Sequence, residues 1–295
     1  MVTMARRSIT KSIGQYAKEW QNNAQADALW VILTDSKYYG RKWDKIEFFA
    51  TGDEEIGRVF DFIKKHGIEV SFSGLFLDFG CGVGRNSKAL RKRFEGGIGV
   101  DISEKMIELA QAYVPDVRFM VSQSASLDQF ADESIDFIYS HIVLQHIPNE
   151  YQRRYIDEFM RIMKPGSLAA IQIPIEIINQ QNITPPFAYR TKQVIKRLFP
   201  FLVTLKRWLI PSKRFHHEFR YEMHPLPDEE IRRTCEKHGC VIEAAPATNS
   251  CEPDHNGRIE FYDMDAHRRM LVESGRPNRY LSAMYFVRKL HSSDA

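Results

Sequence analysis

The chain has 295 residues, 43% of them hydrophobic and 27% charged, with a formal net charge of +3. That leaves room for one large α/β domain with additions and matches ordinary globular composition. So small a charge gives no ground for a nucleic-acid partner, no run approaches the ~20 apolar residues of a membrane span, and the basic start MVTMARRSITKS lacks the apolar stretch of a secretory leader.

The four cysteines, Cys81, Cys235, Cys240 and Cys251, suggest no disulfide framework. Together with His238 and His255 they match no paired metal-ligand spacing, so a reduced, cytoplasmic protein without a metal is expected.

In chain order, residues 11–70 read as helical and aromatic-rich, with Trp20, Trp30, Trp43, Phe48 and Phe49 irregularly spaced. A helical lid is expected there rather than one long amphipathic helix, and Gly67 stands where its last helix stops. From Leu75, short apolar runs alternate with amphipathic helices. Strands are expected at Leu75–Phe79, Ile98–Val100, Val117–Val121, Ile135–Tyr139 and Leu168–Ile173, and helices at Arg85–Phe94, Glu104–Tyr113 and Tyr151–Met163. This βαβ rhythm implies a parallel sheet whose right-handed crossovers bring the strands' carboxyl ends to one edge.

The rhythm breaks near residue 176 and resumes near Leu226. Asp228 is expected as a helix N-cap, Gly239 lies past that helix, and Val241–Ala244 and Ala283–Val287 are further strands. The expected layout is an N-terminal helical lid (1–70), a core (71–175 and 227–295) and an inserted helical cap (176–226).

The sharpest chemical signal is Leu77-Asp78-Phe79-Gly80-Cys81-Gly82-Val83-Gly84-Arg85. Glycines at a strand-to-helix turn let backbone approach a ligand closely, and the following helix turns its first amides toward it. The dinucleotide fingerprint needs glycine or alanine at position 85, where this chain has arginine. Asp78 would oppose an incoming pyrophosphate but suits a cationic group.

This stretch resembles motif I of the class I S-adenosylmethionine-dependent methyltransferases, and the resemblance runs from about Leu75 to Ile173. It continues in Gly99-Val100-Asp101-Ile102-Ser103, Lys105-Met106-Ile107, Ile135 to Ser140, and Lys164-Pro165-Gly166. It implies a Rossmann-like α/β fold: a seven-stranded, mostly parallel sheet with helices on both faces.

It also implies S-adenosyl-L-methionine as cofactor and S-adenosyl-L-homocysteine as product. Asp78, Phe79, Gly80, Cys81, Gly82, Gly84 and Arg85 would line its amino-acid end. Asp101 would hold the ribose hydroxyls, and Ile102 and Met106 the adenine. Gln123, where the family often has aspartate, would reach the adenine amino group beside Ser124, and Ser140 would close the site. His141 and His146 are candidates for a general base or an acceptor contact, with packing or capping as the plainer role of each.

Between Arg190 and Arg220, lysines and arginines interleave with Leu, Ile, Phe and Trp. Such a segment could lie on an anionic membrane or face a phosphorylated acceptor, or be a cap with a solvated basic face; Pro200 and Pro211 interrupt it. Thr184-Pro185-Pro186-Phe187 resembles a nucleic-acid amino-methyltransferase signature displaced from its usual place after the fourth strand, and reads as a rigid loop.

The expected function is methyl transfer to a small-molecule acceptor, a hydroxyl of a saccharide or of a lipid-linked metabolite, with an anionic acceptor left open. A nucleic-acid methyltransferase, and a non-catalytic membrane- or polyanion-binding protein with a degenerate cofactor site, stand as alternatives. Oligomeric state is left open.

Overall fold

The computed structural model describes residues 11–180, 223–252 and 258–291. Five strands are mutually parallel: β1 (Leu75–Phe79), β2 (Gly96–Asp101), β3 (Arg118–Val121), β4 (Ile135–Ser140) and β5 (Met163–Ile178). The order is β3-β2-β1-β4-β5, so the chain reverses its winding beside β1 and opens a crevice at the strands' carboxyl ends.

The antiparallel strand β9 (Arg279–Lys289) then pairs with β5 along its length, from Leu168 opposite Arg288 to Ile178 opposite Arg279. The far edge of β9 is served by two short strands in succession, β6 (Cys240–Ala244) and β7 (Ala247–Thr248). Pro246, which has no N–H to give, separates them, but its carbonyl still accepts from Met284 N (3.0 Å). β8 (Phe261–Tyr262) pairs with β7.

The sheet of the described residues therefore has nine strands rather than the expected seven. The extra ones are two residues long, too short to leave a periodic signal. β5 also runs past the boundary placed at 175. Of the expected cap, residues 181–222 lie outside the described residues, and with them the basic stretch 190–220 and Thr184 to Phe187.

The sheet is covered on both faces because its strands alternate. In β4, Phe137 and Tyr139 join one apolar cluster while Ile138 joins the other. Among the described residues the α-helices are α1 (Ile13–Ile32), α2 (Lys45–Lys65), α3 (Arg85–Arg91), α4 (Glu104–Tyr113), α5 (Asn149–Ile162), α6 (Asp228–Lys237) and α7 (Met264–Glu273). The first four pack on the Phe137 face, and α5 and α6 supply Tyr155, Phe159, Ile231 and Cys235 to the other. Asp228 is the first residue of α6, with Pro227 as its N-cap.

The N-terminal helices are not separate from the core. In α2, Phe48, Ile56, Val59, Phe60 and Ile63 form one buried face within the Phe137 cluster, the spacing a helix needs to bury a stripe. Asp44 caps its start by accepting from Glu47 N (3.0 Å), and Gly67 follows its end at a φ of +68°. α1 is kinked at Asp27, whose carboxylate accepts from Trp30 N (3.3 Å) and so caps the second half, and from Arg41 N (2.6 Å). No helix among the described residues is long and apolar enough to cross a membrane.

Candidate active site

A cavity of about 290 Å³ opens at the carboxyl ends of the parallel strands. Phe79 and Gly80 at the end of β1, Val100 and Asp101 at the end of β2, Ser122 after β3 and His141 after β4 form its floor. Ile13, Tyr16, Trp20 and Ile32 of α1 wall one side, and Ile142, Val143, His146, Ile147 and Met223 the other.

The glycine turn is shaped by close contact. Gly80, Gly82 and Gly84 all have positive φ (78°, 54° and 84°). A Cβ on Gly80 would lie 2.2 Å from Val143 Cγ2, so a side chain there would fill the crevice. Gly80 N and Cys81 N both donate to Val100 O (2.7 and 3.0 Å), which ties the turn to β2. Gly84 serves packing instead: it caps α3, and a Cβ would meet the Phe119 ring at 2.9 Å.

Asp101 accepts from Gly82 N (3.0 Å) and Ser103 N (2.8 Å), one bond on each oxygen, which leaves lone pairs on both. Burial raises its pKa to about 6 despite those bonds. Asp78 is more enclosed. Burial lifts it to about 7 against the bond from Ser87 Oγ (2.6 Å), and Glu55 adds to the lift. On the same cavity wall, the buried Asn86 Oδ1 has no hydrogen-bond partner. A buried carboxyl that resists ionising and a buried acceptor without a donor on one wall are both groups that a positively charged donor could satisfy.

Ile102 and Met106 line the cavity. Gln123 and Ser124 do not: the Gln123 amide turns back to Ile102 O (3.4 Å) and the Ser124 hydroxyl to Ser126 O (3.0 Å). β3 ends at Val121, and its next residue, Ser122, is tied to Asp101 O (2.9 Å) and takes the place on the wall. Ser140 is fully buried with an unpartnered hydroxyl and also lies off the wall.

Arg85 reaches the cavity, but its guanidinium is committed to Glu55 (2.6 Å) and Thr51 (3.3 Å). Cys81 and Cys251 line the wall as inert thiols, since burial pushes the first well above the ordinary range and the second up to about 12. Cys235 and Cys240 are buried in the core, and His238 bonds Asp157 (2.7 Å).

Behind the cavity wall lies a buried carboxylate that carries no signal in the sequence. Glu55 of α2 is 0% exposed and has four side-chain partners: Arg85 on one oxygen, and Asn86 (2.7 Å), Tyr139 (2.7 Å) and His141 Nδ1 (2.8 Å) on the other. Burial alone would raise its pKa, but the positive charge of Arg85 and the pairing with His141 outweigh it and hold the carboxyl well below its usual range. His141 Nε2 meets Ser250 Oγ (2.8 Å), so both ring nitrogens are engaged. His146 lies on the wall beside Gln145 (3.1 Å) and Trp20.

Comparison with known proteins bears on this arrangement. Residues 77–171 match the family model described as a methyltransferase domain. The trans-aconitate 2-methyltransferase of Variovorax paradoxus is 34% identical over 100 residues, which is 33% of this chain and 38% of that protein. The Enterobacter enzyme of the same name is 35% identical over 110 residues, 36% of this chain and 42% of that one. The chain thus spans about two fifths of the length of these relatives.

Two solved structures share the fold. The geranyl diphosphate C-methyltransferase of Streptomyces coelicolor has a TM-score of 0.52 at 13% identity, covering 96% of this chain and 99% of that one. The magnesium protoporphyrin IX methyltransferase of Synechocystis has 0.52 at 16%, covering 94% and 99%. Both were solved with S-adenosyl-L-homocysteine bound.

Proposed function

We propose that this chain, whose residues 77–171 match a methyltransferase domain, transfers a methyl group from S-adenosylmethionine to a hydroxyl of a small molecule with an apolar body. The observation that carries the reading is a shared cavity. The Gly80–Gly82 turn, Asp78 and Asp101 lie on its wall together with the histidine pair His141 and His146.

Bound there, S-adenosylmethionine would supply a methyl on a sulfonium that becomes a neutral thioether on transfer. Asp101 would accept both ribose hydroxyls with its remaining lone pairs. Asp78 and Asn86 Oδ1 would receive the amino-acid ammonium, and Ile102 and Met106 would flank the adenine. The protein's main task is then to hold the acceptor oxygen in line, an orientation effect worth several kcal/mol. His141 and His146 are the candidates to hold the proton that a hydroxyl gives up.

The apolar body of the acceptor rests on the described residues of the wall. Among the described residues lining the cavity, Arg85 is the only arginine or lysine, and Glu55 occupies it. Tyr16, Trp20, Ile142, Val143 and Met223 of that wall suit an apolar body. A saccharide carried on a lipid-like group, or a similar metabolite, has that chemistry.

The test is incubation with cofactor carrying a labelled methyl, against neutral hydroxyl acceptors and trans-aconitate. Label in a hydroxyl acceptor supports the assignment. Label in trans-aconitate alone overturns it.

A further inference from the structure

We propose that Glu55, His141 and Ser250 form a proton relay for the acceptor: Ser250 Oγ touches the acceptor hydroxyl, His141 Nε2 takes the proton, and Glu55 is the positioning residue that holds the imidazole. This rests on the hydroxyl acceptor proposed above.

The geometry fixes the direction. The Glu55 carboxylate, held ionised by Arg85 at 2.6 Å, can only accept. His141 Nδ1, 2.8 Å from it, must therefore carry a hydrogen. In the neutral ring that leaves the lone pair on Nε2, which faces Ser250 Oγ at 2.8 Å. Ser250 and His141 both line the cavity.

Ser250 belongs to a hydroxyl chain that can reverse. Its Oγ is 2.9 Å from Thr248 Oγ1, which is 3.3 Å from Ser282 Oγ, and Gln172 Nε2 donates to Ser282 at 2.6 Å. Each hydroxyl can give or accept, so Ser250 can hand its own hydrogen to His141 as it receives another. Gln172 holds the histidine end as well. Its Oε1 accepts from Ile142 N (2.8 Å), and Ile142 is a β-branched residue at a φ of +59°, a conformation that needs such an anchor. One buried glutamine thus fixes both the serine chain and the strained turn beside His141.

The step balances. The acceptor's O–H proton passes to Ser250 Oγ as the serine's proton passes to His141 Nε2. The acceptor oxygen's electron pair forms the new O–CH₃ bond, and the pair of the broken S–CH₃ bond stays on sulfur. His141 becomes an imidazolium as the cavity loses the sulfonium charge, so the buried charge is unchanged. In a low dielectric this matters: Glu55 and Arg85 already cancel, and a second cation beside a sulfonium would be opposed. Among the described residues, the charged and titratable groups are Glu55, which bonds the ring, Tyr139, which bonds Glu55, and, lining the same cavity, Arg85, Asp78, Asp101, Cys81, Tyr16, Tyr155, His146, Cys251 and Glu252.

The test is histidine ¹⁵N NMR on the full chain with S-adenosylhomocysteine present, from about pH 6 to about pH 9 to bracket the imidazole range. The expected result is a neutral His141 at the alkaline end with hydrogen on Nδ1 and none on Nε2. Ser250→Ala should move the Nε2 resonance and leave Nδ1 in place, and Glu55→Gln should abolish the single-tautomer pattern. Ser250→Ala keeps the proposal testable should Glu55→Gln fail to fold. A His141 protonated on both nitrogens throughout, hydrogen on Nε2 alone, or an Nε2 resonance indifferent to Ser250→Ala each overturns the relay. Failure of S-adenosylhomocysteine to bind would instead count against the methyltransferase reading, and the tautomer could still be measured on the free protein.

Discussion

Asp78→Asn should stabilise the free protein at alkaline pH while damaging the cofactor site. Asp78 is 3% exposed, and burial, the largest influence on it, takes its pKa from 3.8 to about 7. Ionising it in place thus costs roughly 4 kcal/mol more than in the unfolded chain. The unfolded carboxyl loses its proton near the ordinary value, but the folded one keeps it to about 7. Stability from this group therefore falls as pH rises from about 4 to about 7, and stays low above. An amide never ionises, and its oxygen can keep the 2.6 Å bond from Ser87. Its buried NH₂ needs a partner, which offsets about half of the gain. We expect about 2 kcal/mol of stabilisation at about pH 8, or roughly 4–8 °C in Tm, and little or none at about pH 5. Thermal unfolding followed by circular dichroism at both pH values measures this. A variant no more stable than wild type at the higher pH would refute the account of Asp78.

Binding of S-adenosylhomocysteine should release a proton below about pH 7, because the ammonium favours the ionised Asp78 that the free site resists, and affinity should drop as pH falls. Calorimetry in buffers of different ionisation heat reads that proton directly, and none released would contradict the assignment. Arg85→Met should cost about 3–5 kcal/mol in urea unfolding by stranding the buried Glu55, and a loss below about 1 kcal/mol would show that the pair matters little. Gly80→Ala places a methyl against Val143 at a positive φ, so it should cost about 1–3 kcal/mol and abolish cofactor binding; undiminished binding would mean the turn does not cradle the ligand.

The core was legible wherever local signals agree with the sheet. Leu75–Phe79 was delimited by its apolar run and the glycines after it, and Asp101 by the end of the second strand. Glu55 was not legible. It follows Asp53 and Glu54, so in sequence it is one of three acids on an aromatic helix, and only the packing of α2 on α3 buries it against Arg85, 30 positions on, and His141, 86 positions on. Ser250 follows a two-residue strand whose existence depends on its pairing with β9. Gln123 and Ser124, expected at the adenine, lie off the cavity wall because local bonds to Ile102 and Ser126 past the end of β3 set their direction.

The central claim is that the cavity between the Gly80 turn and Asp101 takes S-adenosylmethionine, and calorimetric titration tests it most directly. Wild-type protein should bind S-adenosylhomocysteine and not NADH, and Asp101→Ala should weaken the first at least about tenfold, the ~1.4 kcal/mol of a lost charged hydrogen-bond acceptor. Binding of NADH alone, or equal affinity in the Asp101 variant, would contradict it.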